Sequence, residues 1–131
     1  MAGNTKPIFP KSPLIGVANL STGNTNRTVT GVTGLTQLIP SSLEGSRLDR
    51  VRIQATGNSS QGFIRLWWYS GTGNAQLLRE IPVTAATPSS TVGAFYVDVD
   101  FDRETIPGGW ELWVSTHNTE NFNVAAFGGS Y

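Results

Sequence analysis

The residues that could do chemistry in this chain are few and scattered. His117 is the only histidine, and there is no cysteine. His117 stands in the turn-forming run Thr116-His117-Asn118-Thr119-Glu120, where a histidine is ordinarily a solvated loop residue and not a general base. No serine occupies a G-x-S-x-G elbow, and no glycine-rich loop leads into a helix, so neither an activated serine nor a phosphate cradle is encoded. Glu80, Asp102 and Glu111 could be drafted as a glycosidase pair, because such partners need only meet in space, but nothing in their spacing selects them.

Asp98, Asp100 and Asp102 recur every second residue, which on a strand puts them on one face, neighbours about 7 Å apart. That is too wide for all three to ligate one cation. An EF-hand loop fails as well, because its required glycine and glutamate fall on Arg103 and Gly109. The aspartates are read instead as a solvated strand face paired across a sheet with Arg50, Arg52 or Arg65. No catalytic residue, metal or cofactor is assigned, and the chain is expected not to be an enzyme.

Aromatic side chains are the remaining candidates. Trp67, Trp68, Tyr69, Trp110 and Trp113 cluster in two segments. Neighbouring residues on a strand face opposite ways, so Trp67 and Tyr69 share one face and Trp68 takes the other; Trp113 likewise opposes Trp110. Trp67, Tyr69 and Trp113 are therefore candidate interface residues. An outward tryptophan can anchor a protein contact or stack on a sugar ring, whereas a twisted sheet can also bury it.

The elements that must position these residues are strands. In residues 94–101, Phe95, Val97, Val99 and Phe101 alternate with Tyr96, Asp98 and Asp100, a period of two that no helix can produce. The same alternation runs through residues 50–56 (Val51, Ile53, Ala55 inward), 62–69 (Ile64, Leu66, Trp68), 75–83 (Leu77, Ile81, Val83), 110–116 (Trp110, Leu112, Val114) and 122–127 (Phe122, Val124, Ala126). Residues 14–20 and 27–33 complete a set of about eight. Residues 35–43 are apolar but contain Pro40, which suits an edge segment or one helical turn. Residues 57–61 and 70–74 read as hairpin loops, and residues 84–91 as a crossing between sheets. The result is an all-β, single-domain antiparallel β-sandwich, an eight-stranded jelly roll, with an immunoglobulin-like sandwich as the other arrangement.

Ahead of it, residues 1–13 form a proline-rich arm. Pro7, Pro10 and Pro13 recur every third residue around Ile8 and Phe9, which enforces an extended backbone without pairing in a central strand. Pro7, Ile8, Phe9 and Pro10 are expected to dock on a neighbouring subunit. Residues 14–131 form the domain, long enough for a core of its own.

Charged residues make up 14% of the chain, and nine basic residues balance nine acidic ones. There is no electrostatic footprint for nucleic acid. No apolar run reaches membrane length, and residues 1–10 lack the apolar core of a signal peptide. The absence of cysteine fits folding in a reducing cytoplasm.

Four stretches carry a family resemblance: Ser46-Arg-Leu-Asp-Arg-Val-Arg-Ile-Gln-Ala-Thr-Gly57, Leu77-Leu-Arg-Glu-Ile-Pro-Val83, Gly109-Trp-Glu-Leu-Trp-Val-Ser-Thr-His-Asn118 and Phe122-Asn-Val-Ala-Ala-Phe-Gly-Gly129. Their phrasing resembles small virion proteins of tailed bacteriophages, similar to capsid decoration (cement) proteins. The resemblance implies a structural protein, made in the host cytoplasm and carried in the virion. It implies binding to the major capsid protein or another virion protein, as a homo-oligomer and typically a trimer. Another virion role, such as a head fibre base or tail component, or a carbohydrate-binding module, remains open.

Overall fold

The computed structural model describes residues 9–131. Of the arm candidates, Pro7 and Ile8 lie outside the described residues. Among those described there is no helix. The elements are β1 (Ser12–Leu20), β2 (Thr36–Ile39), β3 (Ser46–Ala55), β4 (Gly62–Tyr69), β5 (Gln76–Val83), β6 (Tyr96–Ile106), β7 (Glu111–Thr116) and β8 (Phe122–Ser130).

They form two four-stranded antiparallel sheets, ordered β1-β8-β3-β6 and β2-β7-β4-β5. The chain folds as a double ribbon: β4 pairs β5, β3 pairs β6, β2 pairs β7 and β1 pairs β8. Rolling that ribbon so that successive strands alternate between sheets gives the jelly roll. Only the β4–β5 connection stays within one sheet. The loop at residues 57–61 is thus a crossing from β3 to β4 between sheets, not the hairpin expected from its Gly, Asn and Ser content. Such residues favour any tight reversal and do not specify which strand comes next.

The inward parity follows the sequence except in β5, where Leu77, expected inward, stands opposite the outward Trp67 and Leu78 packs against the core instead, across the register shift between Leu66 and Trp67. Leu48, Val51, Ile53, Phe101, Phe122, Val124 and Ala126 of the first sheet meet Ile64, Leu66, Ile81, Val83, Leu112 and Val114 of the second, all buried. The two prolines within strands, Pro13 and Pro82, both lie in edge strands, where a missing N–H breaks no internal ladder. β1 takes in Ser12 and Pro13, so this strand begins two residues before the expected 14–20.

One expected strand is absent. Residues 27–33 do not pair as a strand; the eighth strand is β2, within the 35–43 segment, at a sheet edge. The Thr- and Val-rich run has strand propensity, but Gly31 and Gly34 take φ of 61° and 76° and bend it into tight turns. The whole connection, residues 21–35, becomes a long loop.

Candidate functional site

That loop lies across the outer face of the second sheet. The backbone N–H of Asn24 donates to the carbonyl of Thr116 at 2.8 Å, and Ala75 N–H donates to the carbonyl of Gly31 at 2.8 Å. Between these anchors it covers the outward residues of β4. Arg65 and Trp67 are both 0% exposed, although they point away from the main core. Trp67 Nε1 donates to Ser115 Oγ at 3.0 Å, in a second, smaller buried layer. Trp67 is therefore not an exposed interface residue. Its outward parity is as expected, but that side of the sheet is closed by a distant part of the chain.

Arg65 organises the layer. Its Nε donates to Glu80 Oε2 at 2.8 Å, and its Nη1 donates to the carbonyl of Asn24 at 3.2 Å. Arg27, from the loop, donates to the same Glu80 oxygen at 2.9 Å. Burial pushes the Glu80 carboxyl up, but hydrogen bonds from Arg65 and Arg27 outweigh it and hold the group below its ordinary value. His117 Nδ1 lies 3.2 Å from Arg65 Nη1. A guanidinium can only donate, so Nδ1 accepts and the ring proton sits on Nε2. His117 is half-buried and acts as a partner of the buried arginine, not as the solvated loop residue its turn sequence suggests.

At the uncovered end of this face, Tyr69 and Trp113 meet edge to face with ring centroids 6.3 Å apart. Both are half-buried. Trp113 Nε1 donates to Glu111 Oε1 at 3.2 Å, and the Gln37 amide donates to the same oxygen. The structure thus groups all three outward aromatics, Trp67 standing opposite Trp113 in the β4–β7 register, but leaves only Tyr69 and Trp113 partly exposed. It does not assemble the drafted carboxylates. Glu80 stands opposite Arg65 and Glu111 opposite Tyr69, four residues along β4, or about 13 Å at ~3.3 Å per residue. That exceeds the separation of a glycosidase pair. Asp102 belongs to the other sheet.

Among the described residues, the outer face of the first sheet carries no such loop contacts. Its strands align in three ranks: Ile15–Phe127–Arg50–Asp100, Val17–Ala125–Arg52–Asp98 and Asn19–Asn123–Gln54–Tyr96. Each of the first two grades from apolar at β1 to acidic at β6. Ile15 and Val17 are 64% and 71% exposed, and Phe9, at the end of the arm, is 73% exposed. Pro10 lies over Gly129 and is half-buried. Arg50 and Arg52 stack over Phe127, at 4.7 and 5.6 Å from its centroid. A groove of about 400 Å³ runs between Val17, Asn19, Arg52, Gln54, Asn123 and Ala125.

The aspartates pair across the sheet as expected in part. Arg52 Nε donates to Asp98 at 3.0 Å, and Tyr96 Oη donates to the same carboxylate. The Arg52 hydrogen bond holds the Asp98 carboxyl below its ordinary value, and bonding to Asp98 raises both the Tyr96 hydroxyl and the Arg52 guanidinium. Asp100 stands opposite Arg50, and its Oδ1 accepts from the backbone N–H of Asp102. Arg65 lies in the other sheet and takes Glu80 instead. No group of three potential metal ligands occurs among the described residues.

The sequence does not mark Ile15 and Val17 as outward, because residues 14–18 are apolar or glycine at both parities. Such a run specifies a strand without saying which side is inward.

The sequence matches no family model, and no curated protein matches it. No helix among the described residues is long and apolar enough to cross a membrane.

Proposed function

We propose that the protein is a structural virion component that binds an assembled phage shell and reinforces it, in the manner of a capsid decoration protein. One observation carries this reading: a loop of the chain covers Arg65 and Trp67 on one outer face of its sandwich, whereas among the described residues Ile15 and Val17 stay exposed on the other, with Phe9 exposed just ahead of their strand. Contiguous exposed apolar surface marks a contact site. The arm enters the domain at that strand, where Lys11 N–H donates to the carbonyl of Ser130. The resemblance of the four sequence stretches to phage virion proteins supplies the partner, the major capsid protein or a neighbouring virion protein. A module that binds only the assembled shell stabilises it by mass action.

The test is co-sedimentation of the purified protein with shells stripped of their decoration. Saturable binding is expected, weakened by Ala125→Glu, which puts a charge in the middle of the bare face. Failure to bind the shells overturns the reading.

The Tyr69–Trp113 pair favours a second reading, a carbohydrate-binding module. Two aromatic rings flanked by the Glu111 carboxylate and the Gln37 amide offer stacking and hydrogen bonding together. A glycan array that is positive for the wild type and silent for Trp113→Ala would establish it.

A further inference from the structure

Open sheets leave edge strands, and an unprotected edge is a template for another strand. Two sheets of four leave four edges: β1, β6, β2 and β5. Three carry devices that resist strand addition. β6 is interrupted where Asp102 and Arg103 both take positive φ, 47° and 61°, and its register against β3 shifts at that point. It also carries Asp98, Asp100, Asp102 and Glu104. β5 contains Pro82, which cannot donate, and its register shifts between Leu66 and Trp67 of the partner strand. β2 has four residues, one register shift and Pro40 just beyond it.

β1 has no such device beyond Pro13 near its start. Its nine residues pair with β8 in unbroken register from Ser12 to Leu20, and among the described residues no other strand pairs with it. It holds no charged side chain. β2 packs against its inward side, where the Leu38 carbonyl faces Gly16. The outward side carries the exposed Ile15 and Val17.

From this geometry we infer that β1 is a homotypic interface, at which β1 of a second copy adds antiparallel across a two-fold axis. The strand is complementary to itself. Pairing centred on Gly16 places Ile15 opposite Val17 of the second copy, and Val17 opposite its Ile15. On the outer face the two pairs join with Ala125 and Phe127 of each copy into one apolar band. No like charges meet, whereas antiparallel pairing of two β6 strands would set aspartates against aspartates. The edge N–H and C=O groups of one copy satisfy those of the other, the mode by which extended segments add to sheets. The inference deepens the contact-face reading and rests on it, because the doubled band is then the surface offered to the shell.

Light scattering behind a sizing column tests it on the full chain. The expected wild-type mass is twice the 14.1 kDa of one chain. Ile15→Lys/Val17→Lys should reduce it to that of one chain, whereas Leu43→Lys, at a loop residue 91% exposed, should leave the pair intact. Circular dichroism checks that the double variant folds. Ile15→Thr/Val17→Thr, which keeps strand propensity, should weaken the pair as well. Hydrogen exchange should show the β1 amides of the wild type slowing as concentration rises. A monomeric wild type, a trimer, or a pair that survives both double variants overturns the inference. A monomer that still binds stripped shells overturns the pairing alone. A pair lost on Ile15→Lys/Val17→Lys that never binds shells supports the pairing and overturns the virion assignment.

Discussion

Trp67→Ala tests whether the outer face of the second sheet is closed by residues 21–35. The side chain is 0% exposed, and its indole N–H is bonded to Ser115 at 3.0 Å. Burying an indole removes about 200 Å² from water, and about 25 cal/mol per Å² makes that about 5 kcal/mol. Alanine keeps a small part of it, and measured losses for such truncations run at about 3–5 kcal/mol. The expected cost is therefore about 4 kcal/mol. For 131 residues, an unfolding entropy of ~2.1 cal/mol/K per residue gives about 0.28 kcal/mol/K, so the melting temperature should fall by about 15 °C. Calorimetry and urea titration at pH 7 measure both quantities. Trp67→Phe retains most of the buried area but strands the Ser115 hydroxyl, and should cost about 1–2 kcal/mol. Both variants should self-associate as the wild type does. A loss below about 1 kcal/mol in Trp67→Ala, or a stable variant that has lost a binding partner, would refute the reasoning: Trp67 would then be a surface anchor and the loop would not lie on it.

Three further outcomes follow from the same contacts. Glu80 titrates below its ordinary 4.5 in the folded state, so its contribution is complete above that value and is lost as pH falls through the folded pKa; Glu80→Gln should lower stability at pH 7 and flatten the acid limb of a denaturation series. Gly16→Ala would set a methyl group 2.1 Å from the Leu38 carbonyl, and should cost roughly 1–3 kcal/mol by urea titration as β1 is pushed off β2. Arg103→Gly relieves a left-handed non-glycine residue at φ 61°, and should raise stability by roughly 1 kcal/mol in the same assay.

Much of the fold was legible in the residues. The segment 62–69 is β4 to the residue, and the inward sets Val51/Ile53/Ala55, Leu112/Val114 and Phe122/Val124/Ala126 are the observed core. These strands carry clear alternation, and period-two geometry converts it directly into two faces. Where the alternation is blurred, neither the element nor its inward face is specified. Residues 27–33 have the β-branched content of a strand but no consistent parity, and the glycines at 31 and 34 make them a loop. In residues 14–18 apolar side chains occupy both parities, so the exposure of Ile15 and Val17 could not be foreseen. The local run puts His117 just past a strand end, as observed, but its partner Arg65 lies on another strand and cannot be inferred from that run.

The sequence by itself determined that this is an all-β domain of about eight strands, which residues on most strands share a face, and that its chemistry is sparse. Those properties are local, because alternation and turn residues act over a few positions. Only the tertiary structure decided what becomes of the outward faces. The loop at 21–35 returns over Arg65 and Trp67, with Asn24 and its partner Arg65 41 residues apart along the chain, and turns part of one outward face into a buried layer around a shared carboxylate. The other face is left with its apolar margin in solvent. Coverage of a sheet depends on contacts between distant segments, and the alternation of side chains along one strand carries no record of them.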